Sequence, residues 1–230
     1  MTPLPDLSSS AGYRGLYQSM RDVMTSLEGV SRMAVALITR PLRRRRTIWG
    51  ATPAEIATIY PGDNAVPQPN WEYTHAIDVD APRERVWPWL IQIGQGRGGF
   101  YSYQGLENLV GCQIRNTTKV HPEFGSLEVG DEVKLHPKAP GLHVVVADPN
   151  TSLVLSGSAK GSPDRSLWAF HLVDVANGRT RLIERGRYAY GRGLVSRLSF
   201  SPTFLEPISF VMSRKMLLTI ADLARAGEGQ

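Results

Sequence analysis

Of the 230 residues, 42% are hydrophobic and 20% charged, which excludes wholesale disorder and a bundle of membrane spans and suits one large domain or a domain with an appendage. A single cysteine, Cys112, excludes an internal disulfide; with no Cys/His cluster at ligand spacing, the sequence predicts no metal, no cofactor and a reduced, cytoplasmic setting. The net charge of +5 is local, because residues 1–46 hold eight arginines against three acids while the rest of the chain balances, so nucleic acid is not an expected partner.

From Tyr13 to Leu42, Leu16, Met20, Val23, Met24, Leu27, Val30, Met33, Leu37 and Ile38 recur at three- and four-residue steps, the period of an amphipathic helix. Pro41 and the run Arg43–Arg46 close it. Its longest uncharged apolar run, Met33–Ile38, falls far short of the roughly 20 residues a bilayer span requires. The charge follows the apolar stretch, the reverse of a secretory signal. Residues 1–48 therefore read as a basic helical arm. It either packs its stripe on the domain or on a second copy, giving a homodimer, or makes peripheral membrane contact through residues 13–46. Thr52, Pro53 and Glu55 cap a short helix, and Pro61-Gly62-Asp63 with Pro67-Gln68-Pro69 marks 49–70 as a linker.

The remainder, 71–226, reads as one domain. Trp71 to Asp80 alternates, with Trp71, Tyr73, His75, Ile77 and Val79 on the apolar face of a half-buried strand. Helices follow at Arg83–Ile93 and Tyr103–Val110. Strands are expected at Glu132–His136, His143–Asp148, Ser152–Gly157, Ser166–Asp174 and Thr180–Tyr190, and a long helix at Glu206–Ala226. This order predicts an α+β helix-grip fold, a curved antiparallel sheet wrapped around the last helix.

The stretches Ala76–Pro82, Val86–Gly94, Gly96–Tyr103, Leu106-Glu107, Ile114–Asn116, Val129–Asp131 and Phe210–Leu218 resemble bacterial SRPBCC proteins of the START and birch-pollen-allergen superfamily, of the polyketide cyclase/dehydrase-like kind. The resemblance covers residues 49–225. It implies the helix-grip fold and an internal cavity for a hydrophobic small molecule, but no particular reaction.

Asn177-Gly178 reads as a two-residue hairpin loop. That register pairs Phe170 with Arg185, His171 with Glu184 and Trp168 with Arg187. It places Trp168, Phe170, Leu172, Ile183, Arg185 and Arg187 on the face turned to the long helix. Arg185 and Arg187 then either sit in salt bridges and ring stacks or receive a ligand carboxylate, enolate or carbonyl oxygen. His171 with Glu184 reads as a surface pair or an oriented base, and His75 as a satisfied core histidine or a general base. The glycines of 94–99 lack the βαβ setting of a nucleotide fingerprint and read as a tight turn. Phe100, Tyr101, Tyr103, Glu107 and Arg115 are expected near the cavity mouth, with Tyr73, Trp89, Trp168, Phe170, Met212 and Met216 along the lining. Arg214 and Lys215 face outward or pair with Glu206. The candidate acids, bases or oxyanion donors are His75, Tyr103, Arg185 and Arg187. The expected function is binding of a polyketide, isoprenoid, sterol-like compound or acyl lipid; the alternative is a cofactor-free cyclase or dehydratase.

Overall fold

The computed structural model describes residues 10–158 and 162–227. Six strands, β1 (Trp71–Val79), β2 (Glu132–Val133), β3 (Leu142–Asp148), β4 (Ser152–Ser158), β5 (Arg165–Val175) and β6 (Arg179–Ala189), form one antiparallel sheet in the order β1-β6-β5-β4-β3-β2. The helices are α1 (Ser10–Ile38), α2 (Arg43–Thr47), α3 (Pro53–Ala57), α4 (Arg83–Ile91), α5 (Gln104–Leu109), α6 (Leu194–Phe200) and α7 (Leu205–Ala226). The architecture is the helix-grip arrangement implied by the SRPBCC resemblance. α6 is a helix that the apolar period does not announce. In α1 the side chains of Tyr13 and Leu16 lie outside the described residues.

α4 and α7 close one face of the sheet over a core that includes Leu90, Ile93, Leu153, Leu155, Phe170, Leu182, Leu217 and Ile220, all essentially buried. At about 25 cal/mol per Å² of apolar surface, each of these large side chains contributes roughly 1.5–3 kcal/mol. The opposite face is not left to water. Thr52 caps α3 through a reciprocal capping box, its Oγ1 accepting from Glu55 N at 3.2 Å and its own N–H donating to Glu55 Oε2 at 2.6 Å. Glu55 is thereby aimed at Arg181, whose Nε reaches Oε1 at 2.7 Å. Farther along, Val66 joins Val154, Leu167 and Ala169 in a second small core, and Tyr60 stacks on His171 with ring centroids 4.5 Å apart. Residues 52–66 thus form a clasp across the outer face.

The β5–β6 register corrects the expected one. Asn177 and Gly178 do turn the chain, each at φ 67°, but Ala176 joins the loop, so Val175 pairs with Arg179 and every later pair moves by one. Because strand side chains alternate, a one-residue slip exchanges the two faces. Phe170 therefore lies opposite Glu184, Trp168 opposite Gly186, and His171 opposite Ile183. Glu184 and Leu182 face α7, whereas Arg185 and Arg187 face the clasp. Asp63 Oδ1 there lies 3.1 Å from Arg185 Nε and 3.3 Å from Arg187 Nη1. Glu72 adds contacts at 3.4 and 3.1 Å. The two arginines are paired with carboxylates on this outer face and do not point toward α7. His171 is neither a surface pair nor a partner of Glu184; it is buried under Tyr60, with Nδ1 on Ser152 Oγ at 3.0 Å.

α1 packs on α5 and α7. Glycine makes this close approach possible: a side chain at Gly29 would meet Leu106 Cδ1 at 2.6 Å and the Tyr103 ring at 3.1 Å. Ala36, Tyr103 and Val211, with Met33, Leu106, Phe210 and Met212, form a third apolar cluster between these helices. Arg46 anchors the end of the arm segment, its Nε and Nη2 meeting Glu206 Oε1 and Oε2 at 2.8 and 2.9 Å in a buried bidentate pair. Glu206, in the first turn of α7, thus takes Arg46 as its partner instead of Arg214 or Lys215; Arg214 lies over the Trp49 ring, 5.4 Å from its centroid.

Candidate functional site

β1 and β6 place His75 directly opposite Glu184 on the face turned to α7. Four donors converge on the Glu184 carboxyl. Oε1 accepts from Trp168 Nε1 at 2.8 Å, Ser213 Oγ at 2.8 Å and Tyr73 Oη at 3.1 Å, while His75 Nδ1 stands 3.1 Å from Oε2. The other ring nitrogen, Nε2, faces the Arg46 carbonyl at 3.0 Å. A carbonyl only accepts, so Nε2 carries a proton. Nδ1 then faces a carboxyl oxygen, and a contact without a proton between them would set two lone pairs against each other. A proton therefore lies on the Nδ1–Oε2 line. All of this is buried: Glu184 is 0% and His75 1% exposed. Tyr73 stacks on His75 at 4.4 Å, and Phe210 and Trp49 meet the imidazole edge-on at 5.8 and 6.1 Å. Burial, and then the Glu184 charge, hold the Tyr73 hydroxyl well above its usual range, so it remains a donor.

Above this cluster, between α1 and α7, lies a groove of about 430 Å³. Val35, Ala36, Leu42, Val211 and Phe210 supply apolar walls, with Tyr103 among the lining residues, while Ser31, Thr39, Arg32, Arg46 and Arg214 are polar. Arg32 is bonded to Glu28 at 2.8 Å and Arg46 is committed to Glu206. Among the described residues Arg214 has a ring contact and no carboxylate partner. Phe210 belongs to both places, lining the groove and covering His75.

The remaining expected site residues separate. Trp89, Tyr101, Phe170 and Met216 are buried in the main core, with Phe100 and Trp168 packed against it. Met212 packs in the α1–α7 cluster, and Arg115 is exposed. Glu107 is 5% exposed, and among the described residues neither of its carboxyl oxygens has a hydrogen-bond partner; burial pushes its acid up to about 7. Sequence reasoning found Tyr73, His75 and Trp168, assigned Glu184 to His171 instead of to this cluster, and missed Ser213 and Arg46. Among the described residues no group of His, Cys, Asp or Glu is placed to hold a metal, and no helix is long and apolar enough to cross a membrane.

No family model matches the chain, and no curated protein matches it. Solved structures similar to it include a protein from Nitrosospira multiformis, 14% identical with a TM-score of 0.40 over 70% of this chain and 100% of that one. CalU16 from Micromonospora echinospora is 16% identical, with a TM-score of 0.32 over 67% and 84%. A point mutant of norcoclaurine synthase from Thalictrum flavum, in complex with a transition-state analogue, is 13% identical, with a TM-score of 0.37 over 69% and 96%.

Proposed function

We propose that the chain binds a hydrophobic small molecule, such as a polyketide, isoprenoid, sterol-like compound or acyl lipid, in the groove between α1 and α7, with an acceptor or anionic end turned to Arg214. The groove carries this reading. Its volume of about 430 Å³ falls in the range of ligand sites, roughly 300–1,000 Å³, and its walls are apolar with few polar groups. Native and denaturing mass spectrometry of the purified chain, with solvent extraction, is the first test; a co-purified amphiphile near one equivalent is expected. A fluorescent anthroyloxy fatty acid then serves as probe. Val35 lines the groove yet is 56% exposed, so Val35→Trp fills the groove without entering the core and should weaken the probe at least about tenfold. Unchanged affinity in that variant would remove the groove as the site.

The second reading, a cofactor-free cyclase or dehydratase, is favoured by one observation: the proton-bearing His75–Glu184 pair lies beneath the groove, with Phe210 between. It requires His75→Asn to abolish turnover of a polyketide-like substrate while probe affinity stays within about tenfold.

A further inference from the structure

An amphipathic helix ordinarily buries its apolar stripe. α1 does the reverse. The side laid on the domain is Asp22, Ser26, Gly29, Met33 and Ala36: Gln104 donates to Asp22, Gly105 abuts Ser26, Gly29 abuts Leu106, and Met33 and Ala36 join the cluster around Val211. The opposite side carries Met20, Val23, Met24, Leu27, Val30 and Ile38, exposed by 51–80%. Their spacing of three and four residues, with Ala34 between the last two, keeps them on one continuous stripe. So large an apolar strip implies a surface that covers it.

The charge beside the strip narrows what that surface is. Arg43, Arg44 and Arg45 follow it directly, Arg44 and Arg45 are exposed, and none of the three has a carboxylate partner among the described residues. Only Arg46 of the run is neutralised, by Glu206. Residues 1–46 carry all of the net charge, so a second copy meeting this face would bring arginines to arginines with too few acids to offset them. α6, immediately before α7, offers the same combination, with Leu194, Val195 and Leu198 exposed beside exposed Arg192 and Arg197.

We infer that α1 docks in the plane of an anionic lipid bilayer, its outward stripe at the boundary of headgroups and acyl chains and Arg43–Arg45 among the phosphates. This stands on the exposed face of α1 and is independent of what occupies the groove. The test is sedimentation of the full chain with phosphatidylcholine vesicles, with and without phosphatidylglycerol, at low and high salt. Binding is expected to need the anionic lipid and to weaken with salt. Leu27→Glu should lower partitioning at least about tenfold, and the triple variant Arg43→Gln, Arg44→Gln, Arg45→Gln by roughly a hundredfold, at about fivefold per arginine. Thermal melts of both variants should stay close to the parent, because Leu27, Arg44 and Arg45 are exposed and none of the three arginines has a carboxylate partner among the described residues. Absence of binding to anionic vesicles, or full binding by Leu27→Glu, overturns the inference. So does a dimer that Leu27→Glu splits in light scattering while vesicles recruit nothing, which would make the stripe a self-interface.

Discussion

The four side chains that converge on the buried Glu184 carboxyl would each lose a partner with it. Glu184→Gln keeps the shape but turns an amide nitrogen toward groups that donate, so urea denaturation should show a loss of about 2–4 kcal/mol. Ser213→Ala removes one donor and leaves the others, and about 1 kcal/mol is expected. Two further buried groups set the pH dependence with opposite signs. Glu107 is raised from 4.5 to about 7 by burial, so its contribution is complete below 4.5 and is lost as pH rises through 7. His171 is lowered from 6.5 to about 4, chiefly by burial; its contribution is complete above 6.5 and is lost as pH falls through 4. Between 4.5 and 6.5 the two slopes oppose each other, and this pair leaves parental stability nearly level there. Glu107→Gln removes one of them. The variant's urea midpoint should climb with pH across that window, and near pH 8 its unfolding free energy should exceed the parent's by up to ~3 kcal/mol. A variant curve as level as the parent's would show that Glu107 does not titrate in this way.

The β5–β6 hairpin shows what alternation reveals and what it leaves open. Trp168, Phe170 and Leu172 mark the inner face of β5 correctly, but the parity of β6 depends on whether the loop holds two residues or three, and Asn-Gly alone does not decide that. A signal did exist in β6 itself. Arg179, Arg181, Arg185 and Arg187 share one parity, whereas Leu182, Glu184, Gly186 and Tyr188 share the other, and four guanidiniums cost more to bury than one carboxyl. The outer position also depends on Asp63, in a segment whose Pro and Gly content reads as a linker. At this scale Asp63→Ala is informative. Arg185 and Arg187, both largely buried, would keep only the half-exposed Glu72 as a carboxylate, and a loss of about 3 kcal/mol in thermal or urea unfolding is expected. A neutral outcome would show that Glu72 and water suffice.

For the whole molecule, element order was legible because each strand and the last helix carry their own period, and the helix-grip fold follows from that order. The open volume was not legible. Aromatics expected to line a cavity belong to the main core or pack against it, and the groove is created by α1, whose position depends on Gly29, Ala36 and the Arg46–Glu206 pair, contacts between residues far apart in the chain. Tyr73 and His75 were readable from β1 alone; Ser213 and Arg46 come to them from elements that only the folded chain brings near.

The pair of Arg46 with Glu206 joins positions 160 residues apart, and this sets an order of events during synthesis. Until α7 has left the ribosome, Glu184 lacks Ser213, Arg46 lacks its carboxylate, and the inner face of the sheet has only α4 over it. A nascent chain ending before Leu205 therefore holds all six strands with much of their apolar side bare. α7, made after every strand, decides whether that side is closed or left open to aggregation.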